Sequence, residues 1–218
     1  MNFRYIAIII AIVCILVFVF EIFFAEFVFS NFSLISGQVF HKPWTVITYM
    51  FLHSGLEHLF YNMFALVLFG SILEKVIGSK KFFLVFFIAG IFSAIGSILF
   101  YDSTVGASGA IFGILGVLGI LRPRLMVWVL GIPVPMIIAL GIWTLLDLIG
   151  FFIPDQIAHA GHLFGLIFGI AYGIKIRNQY KAKTNTKEVV LEEKEIDDWE
   201  NKWIKLKLIK THFQPFFQ

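Results

Sequence analysis

The sequence predicts an all-α membrane protein, a bundle of six transmembrane helices with both termini in the cytosol. Three observations carry that expectation. Of 218 residues, 59% are hydrophobic and only 14% charged, with 27 Phe and a mean hydropathy of +0.90. A soluble domain is nearer half apolar, with about a quarter of its residues charged. The apolar residues also gather in six stretches, roughly 3 to 24, 56 to 73, 82 to 100, 109 to 121, 126 to 152 and 156 to 176. Finally, the basic residues fall in alternate loops, as cytosolic loops of membrane proteins do.

A spanning helix needs about 20 residues at 1.5 Å each. The first stretch is longer than a signal-peptide core and no A-x-A site follows it, so it reads as a retained helix. Arg4 precedes it, placing the N-terminus inside. The loop at about 25 to 55 then faces out. Lys75, Lys80 and Lys81 put the connection between helices two and three inside. The fourth stretch is too short to span unaided, and Arg122 and Arg124 mark its inner end. The fifth, at 126 to 152, is long enough to cross. Lys175 and Arg177 follow the sixth on the cytosolic side, whereas the opposite face carries Lys42 alone among basic residues, with Glu26, Asp102 and Asp155. The net charge of +3 is therefore a topological signal and no nucleic-acid partner is expected. Residues 1–176 form the expected core. Residues 177–218 form a charged cytosolic tail, whose segment around Trp199, Trp203, Leu206 and Ile209 suits an amphipathic helix on an anionic leaflet. The lone Cys14 excludes an intrachain disulfide.

Polar groups inside apolar helices are costly and call for a partner or a task. On helix two, His58 and Asn62 are four apart and share a face. Counted from the outer boundary, Asn62 lies about 9 Å down, and so does His162 on helix six. Counted from the inner boundary, Ser108 at the start of helix four rises about 20 Å, to the same level of a core about 30 Å thick. A serine, a histidine and a His/Asn pair thus meet at one depth. That set suits nucleophile, base and oxyanion donors, with the free N–H groups of a helix start adding to the last. Glycines supply close approach: Gly161, Gly165, Gly169 and Gly173 on helix six, Gly109, Gly113, Gly116 and Gly119 on helix four.

These residues resemble the rhomboid intramembrane serine proteases. The resemblance rests on Gly106-Ala107-Ser108-Gly109, on His58 to Asn62, and on His162-Leu163-Phe164-Gly165 through Gly169, with "GSILEKVIGSKK" at the inner end of helix two. It covers the six-helix core and leaves the tail aside; Thr45 after Trp44 departs from a commonly basic position. It implies a Ser108–His162 dyad without an acid, oxyanion roles for His58 and Asn62, and hydrolysis near the outer end of transmembrane segments. It also implies that Phe112 stacks under the His162 ring, that Gly106, Gly109 and Gly165 support the site, and that Ser93 and Ser97 resemble a water-retaining pair. Single-span membrane proteins are the implied substrates and membrane lipids the surroundings, in a prokaryotic cell membrane. No cofactor and no metal are expected.

Other classes remain open at this stage. A zinc protease of the H-E-x-x-H type lacks its second histidine, since Asn62 follows His58 at that spacing, although His53, His58, His159 and His162 offer ligands. A transporter would show internal repeats, and none is evident. A rhomboid-like protein that binds membrane clients without cutting them is the main alternative. His53 reads as structural, and His159 as structural or water-contacting. Asp147 is an intramembrane carboxyl whose orientation toward the serine and histidine no sequence pattern reveals.

Overall fold

A computed structural model describes residues 5–129, 131–153 and 155–180, and the tail segment around Trp199 lies outside these residues. The protein is mostly helical. Helix α1 covers Ile6–Phe32, α2 Leu56–Ile77, α3 Ser79–Phe100, α4 Ser108–Leu121, α5 Met136–Gly150 and α6 His159–Tyr180. Among the described residues, α1, α2, α3 and α6 are long and apolar enough to cross a membrane, whereas α4 and α5 are shorter apolar helices. The chain is a multi-pass membrane protein. Its contacts divide it into Met1–Lys175 and Ile176–Gln218, and the description below concerns the first of these units.

Two elements differ from the sequence expectation. Helix α1 runs eight residues past the predicted end, but Phe24 at that end is non-helical (φ −133°, ψ 38°), so the apolar run bends and continues. The stretch at 126 to 152 is not one helix. Its first part is a hairpin in which β3 (Met126–Val129) pairs antiparallel with β4 (Ile132–Pro135), and α5 begins only at Met136. Pro133 and Pro135 lack the N–H a helix interior requires, and Gly131 at φ 79° takes the left-handed turn. Hydropathy registers how apolar a stretch is, not these breaks.

Buried carboxylates tie α1 to the rest. Glu74 of α2, 1% exposed, accepts hydrogen bonds from the backbone N–H groups of Ile6 and Ala7, both at 3.1 Å, and from Ser79 Oγ at 2.5 Å. It thus caps the start of α1, where the first N–H groups lack helical partners. Glu21, also buried, accepts from the backbone N–H of His53 and anchors the end of the long loop. We expect Glu74→Ala to cost about 2–3 kcal/mol, the scale of hydrogen bonds to a charged group. Thermal unfolding in detergent checks this, and an unchanged Tm would show that the cap contributes nothing.

The loop between α1 and α2 folds back on α1. Trp44 Nε1 donates to Asn31 O at 2.9 Å and Thr48 Oγ1 to Phe32 O at 2.8 Å. Its strand β1 (Leu34–Ile35) pairs with β2 (Ser103–Thr104), in the segment leading into α4. Tyr49 closes the arrangement: its hydroxyl donates to Gly90 O on α3 and its carbonyl accepts from Gly106 N. The segment just before Ser108 is therefore held from two sides.

Candidate active site

The starts of α2, α4 and α6 and the end of α5 supply the site. Ser108 is the first residue of α4, and Gly106 shapes the approach to it. Gly106 sits at φ 122°, and a Cβ there would lie 2.8 Å from the His58 ring, so both backbone and space require glycine. No side chain of the N-cap residue Ala107 caps α4, so its first-turn N–H groups are unclaimed by that residue.

The glycine ridges face each other. A Cβ on Gly165 would lie 2.1 Å from Gly109 O, and one on Gly169 2.1 Å from Gly113 O. Backbone meets backbone here, which brings α4 and α6 close enough for a direct side-chain contact. Ser108 Oγ lies 2.7 Å from His162 Nε2. The Phe112 ring, one turn along α4, stacks on the imidazole at 4.5 Å between centroids and 8° between planes. It covers one face of the ring and limits its rotation.

The other ring nitrogen has a partner that sequence reasoning left unassigned. His162 Nδ1 lies 2.9 Å from Asp147 Oδ1, on the last full turn of α5. The same oxygen lies 2.5 Å from His159 Nδ1, and His159 Nε2 lies 3.1 Å from Asp155 Oδ2. His159, read from sequence as structural or water-contacting, fills the space left by Gly150, where a Cβ would come within 2.3 Å of its ring. The signal available in the sequence was the isolated carboxyl in an apolar helix, without its direction. Asp147, His159 and His162 also form a group whose ligand atoms lie within 4.8 Å of one another, a spacing that could hold a metal ion. His53 and His58 are not part of it; their rings pair separately at 5.1 Å.

Asn62 and Ser108 line one cavity of about 520 Å³ between α2, α4, the hairpin and α5, together with Phe69, Phe112, Trp128 and Trp143. A second cavity of similar volume, between α1 and the loop joining α1 to α2, carries no ionisable side chain and so offers no chemistry of its own. Asn62 is buried; its Nδ2 donates to His58 O at 2.8 Å, which leaves its second N–H, and its Oδ1 has no hydrogen-bond partner among the described residues. His58, half-buried, places Nδ1 3.1 Å from Ser54 Oγ. Burial, and then His58, push the loop residue His53 down to about 4, so it stays uncharged beside this group. Ser93 and Ser97 are buried on α3, facing Gly109 and Gly161, and Ser97 Oγ has no hydrogen-bond partner among the described residues.

Comparison with known proteins adds a second line of observation. A family model described as the Rhomboid domain matches residues 41–179. Among curated relatives, Rhomboid protease GluP of Bacillus subtilis is 36% identical over 132 residues, 58% of this chain and 24% of that protein. Putative rhomboid protease YdcA of Bacillus subtilis is 42% identical over 77 residues, 34% of this chain and 39% of that one. Inactive RHOMBOID-like protein 8 of Arabidopsis thaliana is 32% identical over 78 residues, 35% of this chain and 22% of the relative. The matched stretch spans less than half the length of each of these relatives.

Proposed function

The chain belongs to the rhomboid family, and from that premise we propose that it is an intramembrane serine endopeptidase acting on transmembrane segments of other membrane proteins. The observation that carries this reading is the 2.7 Å contact between Ser108 Oγ and His162 Nε2. A histidine nitrogen at that distance takes the hydroxyl proton as Oγ forms its bond to the scissile carbonyl carbon. The carbonyl oxygen becomes an oxyanion, which the first-turn N–H groups of α4 and the side chains of Asn62 and His58 stabilise. His162 passes its proton to the leaving amine as the C–N bond breaks. Water then attacks the acyl-enzyme, giving its proton to His162, and Ser108 recovers its own as the acid product leaves.

In this proposal the six apolar helices cross the membrane, α4 with the help of the segment that precedes it. Both termini lie in the cytosol, and the site opens toward the outer face of a prokaryotic cell membrane. Residues 1–176 are the protease core and 177–218 a cytosolic tail. Single-span proteins are the substrates, cut at or near the outer end of the span, and lipids surround the core.

The test is incubation of the purified protein in liposomes with a panel of single-span substrates, with mass spectrometry of the products and a parallel sample containing a chelator. Cleavage within or beside the span, insensitive to chelation, is the expected result. No product from any substrate would favour the second reading, a membrane-client binder that does not cut, which the match to an inactive relative supports. Asn62→Ala should lower kcat by about 10²-fold to 10³-fold and His58→Ala by a similar factor, less than loss of the nucleophile, because the backbone donors remain. Full turnover in both variants would remove these residues from the oxyanion site.

A further inference from the structure

The Asp147 carboxyl is 4% exposed in an apolar helix, and one of its oxygens faces two imidazole nitrogens. The hydrogens can be counted. Asp155, outside the helices, is an ionised acceptor: the Ile157 backbone N–H, first, and His159, next, hold it below the usual carboxylate range. His159 Nε2 faces that acceptor and therefore carries a hydrogen. Its Nδ1 lies 2.5 Å from Asp147 Oδ1, so one proton sits between the two, whichever atom it is bonded to. The Asp147–His159 pair is then net neutral. An unpaired carboxylate at this burial would be expensive; His159 removes that expense.

His162 occupies the remaining approach to Oδ1. At 2.9 Å its Nδ1 is the donor, which leaves the lone pair on Nε2, the atom 2.7 Å from Ser108 Oγ. The Phe112 stack restrains the ring plane, but a flat apolar ring cannot distinguish one tautomer from the other. Only the acceptor at Nδ1 does that.

We propose that Asp147, clamped by His159, is the positioning carboxylate of this site, converting the expected Ser–His pair into a Ser108–His162–Asp147 relay. This role presupposes the serine-protease reading and adds an acid to it. Asp147 touches no substrate. It fixes the tautomer and orientation of His162, and it faces the imidazolium formed when His162 takes the Ser108 proton. His159 acts one step further out, by holding Asp147 in register.

The test compares wild type with Asp147→Asn, which preserves volume, and Asp147→Ala, each reconstituted in liposomes and checked for folding by Tm. Three readouts are taken: kcat and KM on a single-span substrate, the rate of Ser108 labelling by a fluorophosphonate, and the 15N signals of His162 in a Ser108→Ala background. Both variants should lose at least about 10-fold in kcat and in labelling rate, with KM changed less than about two-fold, as expected when a tautomer is lost and binding is not. The 15N signals should move from an Nδ1–H form in the parent to a mixture in Asp147→Ala. Folded variants with wild-type kcat, or His162 signals unaffected by Asp147→Ala, would overturn the proposal; a loss confined to KM would do the same. Should the wild type neither label nor cut, the protease reading fails by itself, while the 15N comparison still decides whether Asp147 sets the His162 tautomer.

Discussion

Replacing Ser108 or His162 with alanine is expected to abolish cleavage of a single-span substrate, while His159→Ala leaves a measurable part of it. The Ser108 and His162 variants should lose at least about 10⁴-fold in kcat, because a nucleophile and its base act as a unit and removal of either disables both. Two histidines three residues apart on one helix look equally plausible as the base, and the geometry separates them. His162 Nε2 meets Ser108 Oγ at 2.7 Å, whereas both nitrogens of His159 face carboxylates, Asp147 at 2.5 Å and Asp155 at 3.1 Å. A nitrogen already facing a carboxylate is not free to take a proton from serine. The measurement is initial rate in liposomes at saturating substrate, on variants whose Tm shows that they remain folded. A folded His162→Ala protein that still cuts, beside an inert His159→Ala protein, would reverse the assignment of the base.

The second large effect concerns packing. Gly165→Ala and Gly169→Ala are expected to lower stability by about 3 kcal/mol or more, at the upper end of overpacking costs, and Gly165→Val to leave little folded protein. The added Cβ would sit 2.1 Å from a carbonyl oxygen of α4 in each case, and backbone cannot turn aside as a flexible side chain can. Helices α4 and α6 must separate, and Ser108 and His162 separate with them. Activity should therefore fall together with Tm. Gly141 on α5 is the matched control, since nothing lies within 4 Å of a Cβ built there. Gly141→Ala should be neutral or stabilising by roughly 0.5–1 kcal/mol through helix propensity. Equal tolerance at Gly165 and Gly141 would contradict the close contact between α4 and α6.

The membrane class is legible in composition because a bilayer imposes a one-dimensional requirement, a length of apolar chain, which the four long helices meet. The same requirement explains why His58, Asn62, His162 and Asp147 stood out as polar groups in apolar helices. The glycine spacing was legible too, since every fourth residue shares a helix face whatever lies opposite. Which polar group meets which was not. A helix that is apolar all round has no amphipathic stripe to show its rotation, so nothing in "WTLLDLIG" reveals that Asp147 turns toward α6. Only packing of α5 beside α6, with Gly150 making room for the His159 ring, sets that direction. The hairpin at Met126–Pro135 was hidden for a related reason: hydropathy sums side chains, and it is the backbone, through two prolines and a glycine at positive φ, that interrupts the helix. Composition and spacing determine which segments are apolar enough to enter a membrane and which residues of a helix share a face; the rotation and contact of those faces are tertiary, because only neighbouring helices constrain them.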